Sequence, residues 1–300
     1  MTSAAPLRSP ASRDALGFGL GFIGVAMFGG TLPMTRIAVG TFDPWFVSFG
    51  RAAIASVLAG LLLLVLRRRF PPRASWRSLA IAALATVLGF PVFSAIAMQT
   101  VPASHGGVVL GLLPLATSVA AVIVNGERPA PVFWFWSLIG AAIVVAFTLR
   151  TGEAGFGAGD LWLLLAGIAA STGYAQYARV AKWMPGWEAI SWALVLMAPL
   201  TIPVSFLIWQ PGWADAPAAA VGALLYVSIF SVFIGFFFWN AGLAIGGVAR
   251  VGQVQLLQTF VTLAIAATVN QEPVGLETIA FAAAVMLVVL IARKQSVRRE

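Results

Sequence analysis

Long apolar runs alternate along this chain with short polar or basic breaks. Divided at its charged, proline and glycine clusters, the sequence predicts ten helices, over residues 15–39, 44–66, 75–98, 103–124, 131–149, 159–181, 187–209, 217–243, 248–269 and 274–293. Each approaches the roughly 20 apolar residues that cross a bilayer's hydrocarbon core. Ten such helices consume about 200 residues, which leaves short loops and no room for a soluble domain. The first run has basic flanks at Arg8 and Arg13, as a signal peptide would. It is too long for that reading, and nine similar runs follow it, so it is taken as span one.

Composition places these helices in a membrane. Of the 300 residues 60% are hydrophobic and 9% are charged, and the mean hydropathy is +0.95. A soluble domain carries about 25% charged residues. The net charge of +8 does not indicate nucleic acid, because the basic residues are scattered through short loops with no stacking platform between them. In a membrane protein such residues report topology. With a cytoplasmic N-terminus, fifteen of the eighteen basic residues fall on the cytoplasmic side, among them Arg67, Arg68, Arg69, Arg73 and Arg77. Arg150 is left in an outer loop, with Arg36 and Arg51 near the outer ends of spans one and two. Both termini are therefore expected inside.

The chain also repeats itself. Asn125 and Glu127 in "VNGERP" recur as Asn270 and Glu272 in "VNQEPV", each pair 145 residues apart. "FGGTLPMTR" (28–36) and "STGYAQYAR" (171–179) end the first helix of each half in a similar way. An odd number of helices per half turns the second half upside down, the inverted-repeat plan of secondary transporters. The expected fold is thus an all-α integral membrane protein with ten transmembrane helices in two inverted five-helix repeats. The divisions are a cytoplasmic tail (1–13), a first repeat (14–150), a second repeat (151–294) and a second cytoplasmic tail (295–300).

With these features, "FGGTLPMTRIAV" followed by "DPWFVSFGRAAIASVLAGLLLLV" resembles the drug/metabolite transporter superfamily, and within it the ten-span EamA-type branch. Phe49 and Arg51 in span two, and the closures Glu127 with Pro129 and Glu272 with Pro273, fit the same resemblance, which covers residues 15–293. It implies a central cavity lined by spans one, three, four, six, eight and nine, supported by two and seven, with five and ten peripheral. Overall similarity is greatest to bacterial exporters of aromatic and other neutral amino acids. This implies a multi-pass protein of the bacterial inner (cytoplasmic) membrane. The acid that four-span relatives carry in their first helix is absent here; Asp14 lies only at its edge.

Polar groups inside a bilayer are costly and so mark candidate function. Gln255, Gln258, Thr259 and Thr262 in span nine follow i, i+3, i+4, i+7 and share one face. A glutamine both donates and accepts, which suits a zwitterion; hydrogen bonding between helices is the alternative. Span six aligns Ser171, Tyr174 and Tyr177, where an interfacial aromatic belt and a gate are both open readings, as they are for Trp239 in span eight. Thr31 and Met98 complete the expected pathway. His105, the only histidine, is a candidate proton carrier or a hydrogen-bonded edge residue. Arg51 is expected to pair with Asp43 or a carbonyl, or to meet a substrate carboxylate. Pro91, Pro114, Pro199 and Pro203 are candidate bends. Gly19, Gly21 and Gly24 match a dinucleotide fingerprint in spacing only; no strand precedes them, and helix packing explains them better.

No aspartate or glutamate sits near mid-span, there is no cysteine, and no ATP-binding motif is present. An enzyme, a metal centre and a cofactor are all unexpected. The expected function is secondary transport, by alternating access, of small neutral or amphipathic metabolites, with aromatic amino acids, methionine and threonine first. Export of lipophilic drugs is the runner-up, and a non-transporting assembly subunit a remote third. The expected partners are a small-molecule substrate and the lipid bilayer; a monomer is compatible with the sequence.

Overall fold

A computed structural model describes residues 10–125, 128–129, 131–151, 157–246, 252–293 and 297–298. Glu127 and Arg250 lie outside the described residues. Within them the chain is helical, and the only β structure is a two-residue antiparallel bridge between Arg128–Pro129 and Val297–Arg298.

The first predicted run is two helices, α1 (Pro10–Gly29) and α2 (Thr31–Val39), meeting at Gly30. α3 (Pro44–Val65) starts where its chemistry says it should: the Asp43 carboxylate accepts the Trp45 amide at 2.8 Å and Pro44 opens the helix. It stops at Arg67, whose φ of 49° is left-handed, and the Arg68 amide returns to the Leu63 carbonyl at 2.9 Å. α4 (Arg73–Ala83) and α5 (Phe90–Ala97) are joined through a π-helical segment, Leu84–Gly89. α6 (Ala103–Val109) and α7 (Leu113–Asn125) are joined through a 3₁₀ turn, Leu110–Leu112. α8 (Pro131–Thr151), α9 (Ala158–Val180) and α10 (Gly186–Leu207) are continuous. The second half repeats the interruptions. A π segment, Val227–Ile234, separates α11 (Ala218–Tyr226) from α12 (Gly235–Gly246), and a 3₁₀ segment, Gly252–Leu257, leads into α13 (Gln258–Val269), followed by α14 (Leu276–Arg293).

Pro91 and Pro114 explain the interruptions of the first half, because each follows one closely and lacks an amide to give the preceding turn. Val227–Ile234 contains no proline; hydroxyl groups there take up backbone bonding, with Ser228 donating to the Leu224 carbonyl at 2.6 Å. Pro199 and Pro203 sit inside α10.

Among the described residues, six helical stretches are long and apolar enough to cross a membrane: Ala15–Val39, Pro44–Val65, Arg73–Ala97, Ala103–Val124, Gly186–Leu207 and Ala218–Leu243. Trp134–Arg150, Val254–Val269 and Leu276–Ile291 are shorter apolar helices. Large apolar side chains face outward along them, Leu207 at 82% exposure and Leu64 at 74%. In water this would be prohibitive; against lipid it is neutral.

Packing is paired between the halves. α1 lies along α12, and α9 lies in the same manner along α4 and α5; α3 packs on α10, and α8 on α14. Glycines set the closest approach. A Cβ on Gly24 would stand 2.8 Å from the Trp239 amide nitrogen, and one on Gly242 2.6 Å from that of Gly21. Gly19, which the sequence grouped with them, faces open space.

Candidate functional site

Where the halves meet, an interior cavity of about 70 Å³ is enclosed by residues from α1, α2, α3, α5, α6, α7, α9, α12 and α13 and from both π segments. It has three kinds of wall. One is aromatic, with Phe28 and Phe236 meeting edge to face at 5.0 Å and Phe90 and Tyr174 beside them. One is the amide and hydroxyl face of Gln255, Gln258, Thr259 and Thr262, where Thr262 donates to the Gly29 carbonyl at 2.9 Å. The third is a polar corner made of Thr31, Arg51 and Ser231.

That corner is tightly built. Thr31 and Ser231 share a hydroxyl hydrogen bond of 2.7 Å, and Arg51 Nη2 donates to Ser231 Oγ at 3.3 Å. Ser231 reaches it from the π segment Val227–Ile234. Thr86, 145 residues earlier, holds the matching place in Leu84–Gly89 and bonds the Tyr177 hydroxyl at 3.0 Å. Arg51 is 3% exposed, and its Nε has no partner. The expected pairing with Asp43 does not form, because Asp43 is engaged in capping α3, eight residues and about 12 Å away along the helix. Helix α3, expected to support the cavity, supplies the one charged residue among its described lining.

The predicted pathway residues divide. Thr31, Tyr174, Gln255, Gln258, Thr259 and Thr262 line the cavity, and so does Pro114. Tyr177 lies behind Thr86 and packs on Phe236 with ring centres 6.5 Å apart. Ser171 returns its hydroxyl to the Gly167 carbonyl of its own helix at 2.6 Å. Met98 is buried in the apolar cluster around Leu32 and Leu163. The Trp239 backbone forms the contact with Gly24 described above. His105 is outside the lining. Its Nε2 meets Asp160 Oδ1 at 2.6 Å, its ring stacks on Phe147, and together they tie α6 to the start of α9.

One end of the bundle is closed by polar ties. Glu272 accepts the amides of Ala103 and Ser104, each at 2.8 Å, which satisfies free amides at the buried N-terminus of α6 and complements its dipole. Arg36 lies 3.4 Å from Glu272 and donates to the Met98 and Val101 carbonyls. Asn270 donates to the Pro33 carbonyl at 3.1 Å. Gln271, left-handed at φ 56°, turns the chain so that Glu272 can reach across. At the other end Arg68 sits 3.6 Å from Glu188 and over the ring of Trp187.

Ser231 is marked in the sequence by its helical spacing with Ser228, Gly235 and Trp239 in span eight, and Thr86 only by its place 145 residues before Ser231. Phe28, Phe90 and Phe236 carry no such mark among 21 phenylalanines.

Known proteins fit this arrangement. The EamA-like transporter family matches twice, over residues 15–149 and 157–293. The uncharacterized transporter YdeK of Bacillus subtilis (strain 168) is 46% identical over 274 residues, which cover 91% of this chain and 96% of YdeK. The WAT1-related protein At3g02690, chloroplastic, of Arabidopsis thaliana is 29% identical over 202 residues, 62% of this chain and 48% of that protein. A solved crystal structure superposes with a TM-score of 0.59 at 21% identity, covering 95% of this chain and 98% of its own, and so shares the fold. Both halves of this chain match one transporter family, and a transporter resembles it almost end to end: it belongs to the EamA-like transporter family of the drug/metabolite superfamily, and is a membrane transporter, not an enzyme.

Proposed function

We propose that this protein exports small amphipathic metabolites, amino acids foremost, across the bacterial cytoplasmic membrane by alternating access. In this reading ten spans form two inverted five-helix halves, and both termini are cytoplasmic. The observation that carries the proposal is the cavity between the halves. Its lining joins aromatic rings to glutamine and hydroxyl groups, and Gln258 and Arg51 reach it from opposite halves. Such a site suits a molecule with an apolar tail and a polar head. An assembly subunit has no use for polar residues converging on an interior space.

The inverted arrangement draws support from the paired interruptions: π segments at Leu84–Gly89 and Val227–Ile234, and 3₁₀ segments at Leu110–Leu112 and Gly252–Leu257. Segments of that kind adjust more readily than a regular helix and supply hinges beside the cavity.

Labelled phenylalanine, methionine and threonine, offered to liposomes holding the purified protein, test the reading. Saturable uptake above empty liposomes is expected without a pH gradient, reduced several-fold by Gln258→Ala. Uptake that needs the gradient would add proton coupling. Folded protein that carries none of the three would overturn the amino-acid assignment.

A further inference from the structure

We propose that Arg51 anchors a carboxylate on the cargo, and that the site reads this carboxylate and no amino group, so that small apolar monocarboxylates enter it as amino acids do. The proposal rests on reading the cavity as the transport site.

Arg51 has five N–H donors. The structure gives it one long bond to a neutral hydroxyl, Ser231 at 3.3 Å, and leaves Nε without any. Among the described residues no carboxylate pairs with it; the acids in ion pairs are Glu272, Glu188, Asp160 and Glu277, each engaged with another base. A guanidinium keeps its proton in proteins. A charge buried to 3% exposure without a counter-ion is strongly unfavourable unless something else completes it. The planar fork is matched by a carboxylate, which accepts two parallel bonds from it. Ser231 and Thr31 act as positioning residues: their mutual hydrogen bond of 2.7 Å fixes the oxygen on which the guanidinium rests.

Nor does the repeat require this charge. Positions 142 to 145 residues after Arg51 are Ala193, Leu194, Val195 and Leu196, all apolar, and α10 packs against α3 without a basic residue there. A role shared by both halves would not depend on an arginine in one of them.

The lining also lacks an anion. Among its described residues there is no aspartate or glutamate. A bound monocarboxylate brings the site to electrical neutrality, whereas a zwitterion leaves one uncompensated positive charge in a medium of low dielectric constant. Gln255 and Gln258 serve a neutral oxo, hydroxyl or amino substituent equally, because an amide both donates and accepts. The tail lies among Phe28, Phe90 and Phe236.

Three probes with one ring and matched chains separate the possibilities: 3-phenylpropionate, phenylalanine and phenylethylamine, titrated calorimetrically into the purified full-length protein. We expect 3-phenylpropionate to bind at least as tightly as phenylalanine, and phenylethylamine at least about tenfold more weakly than either, the margin of one lost charge-assisted hydrogen bond. Arg51→Lys should retain weakened binding of the acid and Arg51→Gln should abolish it. Equal binding of the amine, no binding of the acid to the wild type, or an unchanged Arg51→Gln overturns the proposal. The wild-type ranking needs no variant, so a misfolded Arg51→Gln protein cannot rescue the idea. The two readings also fail separately. Phenylalanine uptake that is unaffected by Arg51→Gln removes the anchor and leaves the exporter. Arg51-dependent binding of the acid, with no amino-acid uptake, removes the amino-acid cargo and leaves the anchor.

Discussion

Glycines along α1 and α12 make a residue-scale contrast that a melting experiment can read. Gly24 and Gly242 meet backbone atoms of the facing helix at distances no Cβ tolerates, while Gly19 meets nothing. Gly24→Val should force α1 away from α12 and lower stability by about 1–3 kcal/mol, the usual cost of overpacking. Gly19→Ala should be neutral or stabilising by up to ~1 kcal/mol through helix propensity. Thermal unfolding of the purified protein in detergent checks both, and equal effects of the two changes would refute the packing account. Spacing in the sequence identified Gly19 and Gly24 without saying which of them faced a neighbour. The same limit applied to Arg51. Its depth in span two was visible in the sequence, but its direction depends on how α3 rotates against α10, where Ala52, Ala55 and Ala59 seat against Ala189, Ala193 and Leu194. Gln255, Gln258, Thr259 and Thr262 were easier, since four polar residues in one apolar run leave little choice of face, even though Gln255 belongs to the 3₁₀ segment before the helix. The partner of His105 was hidden because Asp160 lies 55 residues on.

Helix ends were largely legible, because Pro, Gly and charged clusters stop apolar runs for reasons local to the chain. Interruptions within the runs were not. Leu84–Gly89 is announced by Pro91, yet Val227–Ile234 is as apolar and proline-free as a regular helix, and only its correspondence with the first half marks it. The end of α3 supports a prediction at this scale. Arg67 holds a left-handed conformation that costs a residue with a Cβ roughly 1–2 kcal/mol. Arg67→Gly should therefore stabilise the protein by about 1 kcal/mol, read as a raised melting temperature. A lowered one would mean that the side chain contributes more than its backbone strain costs.

For the molecule as a whole, the ties around Glu272 hold one end shut. Glu272 joins the end of α2 to the start of α6 across the mouth of the bundle through Arg36, Ala103 and Ser104. Glu272→Gln removes the charge that Arg36 and the helix N-terminus both require, and should shift the population toward a state open at that end. The chain contains no cysteine, so a single Leu32→Cys reports the change directly: its labelling by a water-soluble maleimide should accelerate several-fold in the Glu272→Gln background. An unchanged rate would mean that other contacts keep the end closed. A last consequence concerns voltage. A fixed charge with no internal counter-ion, such as Arg51, couples to the membrane potential at roughly 2.3 kcal/mol per 100 mV for a full traverse. An empty carrier then feels that field each time its site is exposed to the opposite side, and a carrier loaded with a monocarboxylate does not. In the proposed export cycle, an inside-negative potential draws the empty site toward the cytoplasmic side, where it would meet its cargo.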